Sequence, residues 1–92
     1  MDAGLDGLAN LGARSVSWLR AAGVSNVRTL KRLGPVAAFR CVERAGFKPS
    51  INLLYALAGA LENTRWDRLP PTRRSDLIRE LDAARDIERQ QE

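Results

Sequence analysis

Histidine is missing altogether from the 92 residues. With it go the usual general base near neutral pH, the histidine-bearing catalytic triads and every metal site that needs an imidazole. A single cysteine, Cys41, rules out an intrachain disulfide; with no histidine to take its proton, and Val42 beside it, it reads as a small inert core residue rather than a nucleophile. Aromatic residues make up only 5% of the chain and β-branched ones are few, which leaves little material for sheet. The longest apolar run, near 51–61, falls far short of the roughly 20 residues a membrane-crossing helix requires. Nothing at the N-terminus resembles a basic segment leading into an apolar signal core. The expectation is a soluble, cytoplasmic protein that is not an enzyme, holds no metal and no cofactor, and does not enter a membrane.

Alanine, leucine and arginine dominate instead, and a chain of this length is the size of one small domain with a modest core. An all-α fold follows. Its centre is the stretch 51–61, apolar on every side except at Asn52, because a helix that is apolar all round has to be buried. Ser50 is a favoured N-cap whose hydroxyl can accept from an orphaned backbone N–H, and Pro49 disfavours helical geometry at Lys48. Ala56, Gly59 and Ala60 share one stripe, where another helix backbone could come close. Asn52, one step inside the start, is expected to bond a neighbouring loop backbone. Tyr55 is expected at the core rim, and Trp66 as a lid over this helix.

Before it, a loose N-terminus leads to a short helical turn at about 5–9. A helix carrying Ser15, Trp18, Leu19 and Ala22 on one side then stops at Gly23. Asn26 caps a third helix, 27–33, ended by Gly34, and Pro35 opens a fourth, 35–45, closed by Gly46. After Pro70-Pro71, an extended link, a last helix at about 72–89 puts Leu77, Ile78, Leu81, Ala84 and Ile87 on one face. The expected architecture is a bundle of five to six helices forming one domain over 1–92, with a compact core at about 5–86 and frayed ends at 1–4 and 88–92.

The first half repeats itself. Leu8-x-x-Leu11-Gly12 recurs as Leu30-x-x-Leu33-Gly34, and the helices that follow end alike, in Ala22-Gly23 and Ala45-Gly46. Two such units can pack face to face, with the 51–61 helix closing them. The turn Asn10-Leu11-Gly12 resembles the helix-hairpin-helix motif of DNA repair and replication proteins, in which a helix N-terminus meets a phosphate. Arg14 in the following turn would add charge. Asn10 stands where that motif carries its first glycine, and Pro35 removes one N–H at the second turn. The alternative is that both glycines serve only to turn the chain.

Fifteen basic residues face eleven acidic ones, and the surplus lies in the first half. Residues 1–50 sum to +5, with Glu43, Asp2 and Asp6 their only acids, whereas 51–92 sum to −1. Such a surplus draws in anionic partners, although an arginine-rich bacterial composition gives the same balance with no partner in mind. The best candidate nucleic-acid surface is the stripe Arg28, Lys31 and Arg32 on the third helix, with Arg14 beside the hairpin. A solvated basic face is the commoner reason for such a stripe. Trp18 could stack on a base, but its spacing to Leu19 and Ala22 favours the core.

Taken together, Asn10-Leu11-Gly12-x-x-Ser15-x-x-Trp18-Leu19, Gly23-Val24, Leu30-x-x-Leu33-Gly34-x-Val36-x-Ala38-Phe39 and Ser50-Ile51-Asn52-Leu53-Leu54-Tyr55-Ala56-Leu57-x-Gly59-Ala60 with Trp66 downstream resemble the C-terminal domain of the TfoX/Sxy competence regulators. The resemblance covers roughly 8–81. It implies an all-helical domain of the SAM-like, helix-hairpin-helix-related kind, in a stand-alone member, since the family's N-terminal α/β domain has no counterpart in these residues. It also implies a role in regulating DNA uptake genes, where family members act with a cyclic-AMP-dependent transcription activator. Two functions therefore stand side by side. One is a regulatory module binding DNA without sequence preference; the other is a SAM-like protein-interaction domain, serving a partner in the transcription machinery without touching DNA.

Overall fold

The computed structural model describes residues 4–90 of the chain; the expected fraying of 1–3 and 91–92 lies outside them. A 3-10 turn at Leu5–Gly7 leads into four helices, α1 (Ala13–Ala21), α2 (Val27–Arg44), α3 (Ile51–Leu61) and α4 (Pro71–Gln90), with a second 3-10 turn at Trp66–Arg68 between the last two. No strand occurs among the described residues, so the all-helical expectation holds. The helix count does not. The first expected helix is only the turn at Leu5–Gly7, and the expected third and fourth run on as α2. Gly34 breaks α2 from within: its φ of 81° and ψ of 172° are unavailable to a helix, and they reorient the chain just ahead of Pro35.

The repeat is real at its C-terminal ends. After α1, Val24 N–H reaches back to Leu19 O at 2.8 Å and Gly23 N–H to Arg20 O at 3.0 Å. After α2, Phe47 N–H reaches Val42 O at 3.4 Å and Gly46 N–H reaches Glu43 O at 3.0 Å. These are two Schellman caps, each built on a left-handed glycine, with φ of 92° at Gly23 and 99° at Gly46. In each the residue after the glycine, Val24 or Phe47, folds back over the apolar residue whose carbonyl it binds.

The repeat fails at its corners. Gly34 is left-handed, but Gly12 has a φ of −83° and ψ of 177°, open to any residue, and a side chain there would meet nothing within 4 Å. Its tight turn is made two residues earlier, by Asn10 at φ 73°. Asparagine tolerates that region because its short polar side chain can bond locally, and this one bonds to a distant loop, as described below.

Leu53, Leu54 and Leu57 of α3 are buried, together with Ala56, Ala58, Gly59 and Ala60. Around them pack core residues from the other elements, among them Leu19, Leu30, Ala38, Phe39, Val42, Leu77 and Leu81. The packing is less symmetrical than two units clasping one helix. α2 lies along α3 and α4 on α2, whereas α1 packs on α2 and on the first 3-10 turn. Asn26 caps α2 as expected, accepting from Thr29 N–H at 2.8 Å. Ser50 occupies the N-cap position of α3, but its side chain makes no capping bond.

α4 starts at Pro71 rather than after it, since a proline at the first helical position gives up an N–H that has no partner there in any case. Its far end also departs from expectation. Ile87 is 55% exposed, so the apolar face ends with Leu81 and the half-buried Ala84. The helix nevertheless runs on to Gln90, held by charge. Arg40 of α2 bonds both Glu43 and Glu88, Arg85 donates to Glu43 at 2.8 Å, and Arg44 reaches Glu88 at 3.3 Å. Five side chains thus tie α4 to α2 where no apolar contact is left to do so.

Burial pushes the Glu43 carboxyl up, but hydrogen bonds from Arg85 and Arg40, and the charges of both, outweigh it and leave the group below the ordinary glutamate value. A depressed folded-state pKa contributes stability that is present above the unfolded value, about 4.3, and is lost as pH falls through the folded one. Acidification from about pH 5 toward 3 should therefore release the outer half of α4 before the core melts. Amide exchange in 82–90 would report it. Glu43→Gln should flatten that acid dependence; an unchanged profile in the variant would mean Glu43 is not the group responsible.

Candidate nucleic-acid interface

The first turns of α1 and α3 and the 3-10 turn at Trp66–Arg68 leave a cleft of about 420 Å³ between them. Its lining includes Trp18, Leu53, Ala56 and Trp66 as apolar surface, Asn10, Ser15, Ser50 and Asn52 as neutral polar groups, and Arg14 and Lys48 as cations. No carboxylate lines it among the described residues.

Each wall has a local cause. Trp18 is fixed by stacking on Phe47, with ring centroids 5.1 Å apart and an interplanar angle of 13°, and Phe47 is in turn placed by the second Schellman cap. Trp66 is placed by Asn10: the side-chain Nδ2 donates to Thr64 O at 2.9 Å, and Oδ1 accepts from Trp66 N–H at 3.2 Å. One asparagine thereby pins both backbone groups of the 64–66 loop onto α3. They lie so close to Gly59 that a β-carbon there would fall on Thr64 O and come within 2.6 Å of Asn10 Nδ2. The close approach at Gly59 is thus by a loop and a side chain, where another helix backbone was expected. Trp66 does lie over α3, yet it remains 40% exposed, so it is only in part a lid.

The sequence-derived candidates divide. Arg14, exposed in the first turn of α1, lines the cleft, and so does Asn10; Leu11 is buried behind them and Gly12 caps α1. Arg28, Lys31 and Arg32 are exposed on the first half of α2 and do not line it. Lys48, Ser50 and Trp66 were not among the candidates. Lys48 carried a signal in its position, a cation just ahead of the Pro49-Ser50 helix start. Asn52 is exposed in the cleft, and the loop-backbone bonds expected of it are made by Asn10.

Tertiary pairing sharpens the charge asymmetry. The arginines of the second half are largely spent on carboxylates: Arg65 on Asp67, Arg73 on Glu62, Arg79 on Asp76, Arg85 on Glu43 and Arg89 on Asp86. Arg74 instead sits 5.3 Å over the Tyr55 ring. Among the described residues, Arg14, Lys31, Arg32 and Lys48 have no carboxylate within 4 Å. Glu43, the one acid of α2, is held by Arg40 and Arg85.

Helices joined by left-handed corners around a buried central helix define a small all-helical domain, with a row of cations along one flank that have no carboxylate within 4 Å among the described residues. The chain belongs to the family described as the TfoX C-terminal domain, whose pattern matches residues 1–81. Among solved structures it is similar to an uncharacterized protein from Listeria monocytogenes, with a TM-score of 0.80 and 28% identity, over 90% of this chain and 94% of that one. No curated protein matches it. No helix among the described residues is long and apolar enough to cross a membrane, and no cluster of three or more potential metal ligands occurs among them.

Proposed function

We propose that the protein is a non-enzymatic regulatory module that binds nucleic acid without sequence preference through the basic surface of its first half. The observation that carries this reading is that Arg14, Lys31, Arg32 and Lys48 have no carboxylate within 4 Å among the described residues, whereas most arginines of the second half are paired with acids. Cations that no carboxylate holds are the ones that can displace counterions from a phosphate backbone. The exposed cations Arg28, Lys31 and Arg32 lie on one stripe of the first half of α2, and no asparagine or glutamine on it is placed to read base edges, so contacts to phosphate without sequence choice follow.

Fluorescence anisotropy with duplex DNA tests it directly. Binding should weaken steeply between 50 and 200 mM salt, and Lys31→Glu with Arg32→Glu should abolish it while leaving the thermal melt in place. Loss only upon Arg14→Glu would move the contact to the hairpin corner. No binding at 50 mM salt would leave a protein-interaction domain as the function.

A further inference from the structure

Resting on that nucleic-acid reading, we infer that the cleft between the starts of α1 and α3 is a pocket for one unstacked nucleotide of a single strand, with Trp66 as the stacking face and Arg14 and Lys48 as the phosphate contacts. Three independent features meet in it. It is a recess of about 420 Å³, within the range of sites that enclose a small ligand. Among the described residues its cations have no carboxylate within 4 Å and no carboxylate lines it, so its charge suits an anion. Trp66 also lines it and is 40% exposed, while Asn10 accepts from its backbone N–H.

Stacking on an aromatic face is indifferent to which base is present, because every base has a π-face. A base inside a duplex already has both faces covered and would have to leave the stack to enter a recess. An aromatic side chain and cations lining one recess therefore favour single strands over duplex. The stripe on α2, which carries cations without a ring, does not discriminate between them. An acidic peptide would satisfy the cations but leave Trp66 without a planar partner.

The test uses the full chain at 50 mM salt with three probes: labelled dT12, a labelled 12-base-pair duplex and poly-glutamate. The expected result is dT12 bound about tenfold or more tighter than the duplex, with poly-glutamate no better than the duplex. Trp66→Leu should weaken dT12 by about tenfold and leave the duplex within about twofold, whereas Trp66→Phe retains most of the preference. Lys48→Glu, at an exposed position outside the helices, should weaken dT12 more than the duplex and serves should Trp66→Leu fail to fold. Equal binding of dT12 and duplex, with no effect of Trp66→Leu or Lys48→Glu, overturns the pocket while the basic-surface reading stands. Poly-glutamate binding best overturns it in favour of an acidic peptide. Binding of neither nucleic acid overturns both readings.

Discussion

Gly59→Ala should lower the stability of the folded protein by about 2–3 kcal/mol, although alanine is the better helix former. The preference for alanine in a helix interior is worth about 1 kcal/mol in favour of the variant. Against it stands a methyl group placed onto Thr64 O and within 2.6 Å of Asn10 Nδ2, with Trp66 N at 3.3 Å. Two of those three atoms are backbone and the third is fixed at both ends of its amide, so none can give way by a simple rotamer change. Overpacking of this kind costs about 1–3 kcal/mol, and displacing the loop also weakens the two hydrogen bonds from Asn10, at about 1 kcal/mol each. For a domain of this size the loss corresponds to a fall in Tm of about 10–20 °C. A Tm equal to or above that of the parent protein would show that the 64–66 loop moves away at no cost, and that the clamp is incidental.

Asn10→Ala should be comparably damaging, for a different reason. Asn10 sits at a φ of 73°, where a side chain with a β-carbon and no local bond costs about 1–2 kcal/mol. The variant loses the bonds to Thr64 O and Trp66 N as well. Together these give about 2–3 kcal/mol. Asn10→Gly separates the two contributions, since glycine takes the left-handed conformation freely; it should cost only about 1–2 kcal/mol, the share belonging to the clamp. Because Asn10 and Gly59 meet at the same loop, their effects should not add: in the Asn10→Gly background, Gly59→Ala meets one obstructing atom fewer and should cost measurably less. Urea unfolding of the four proteins gives this cycle. An Asn10→Gly variant as stable as the parent, or strict additivity, would remove the clamp from the account of the fold.

What was legible in the sequence was local, or followed from hydrophobicity alone. The helix of 51–61 could be placed because a segment with no polar face has one thermodynamic option. The stops at Gly23 and Gly46 could be placed because a left-handed residue after a helix is a backbone matter settled within six residues. Asn26 was legible as a cap for the same reason. The break at Gly34 was legible too, though not that the two halves would run on as a single bent element.

The site was legible only in part. Arg14 and Asn10 were picked out, but for a motif at the hairpin rather than for a cleft. Trp66 looked like a cover for α3, because nothing near it in the chain reveals that it stays 40% exposed. Nor does the sequence near Glu88 say that it bonds Arg40 and Arg44, more than forty residues away.

By itself the sequence determined the helical class, the buried rod at its centre and where most helices end, because burial and backbone propensity act over a few residues at a time. Only the tertiary structure decided which of the described cations lie apart from any carboxylate, what presses on Gly59 and that two tryptophans, Arg14 and Lys48 share one recess. Those are contacts between residues far apart in the chain, and their free energy depends on distances that no local pattern encodes.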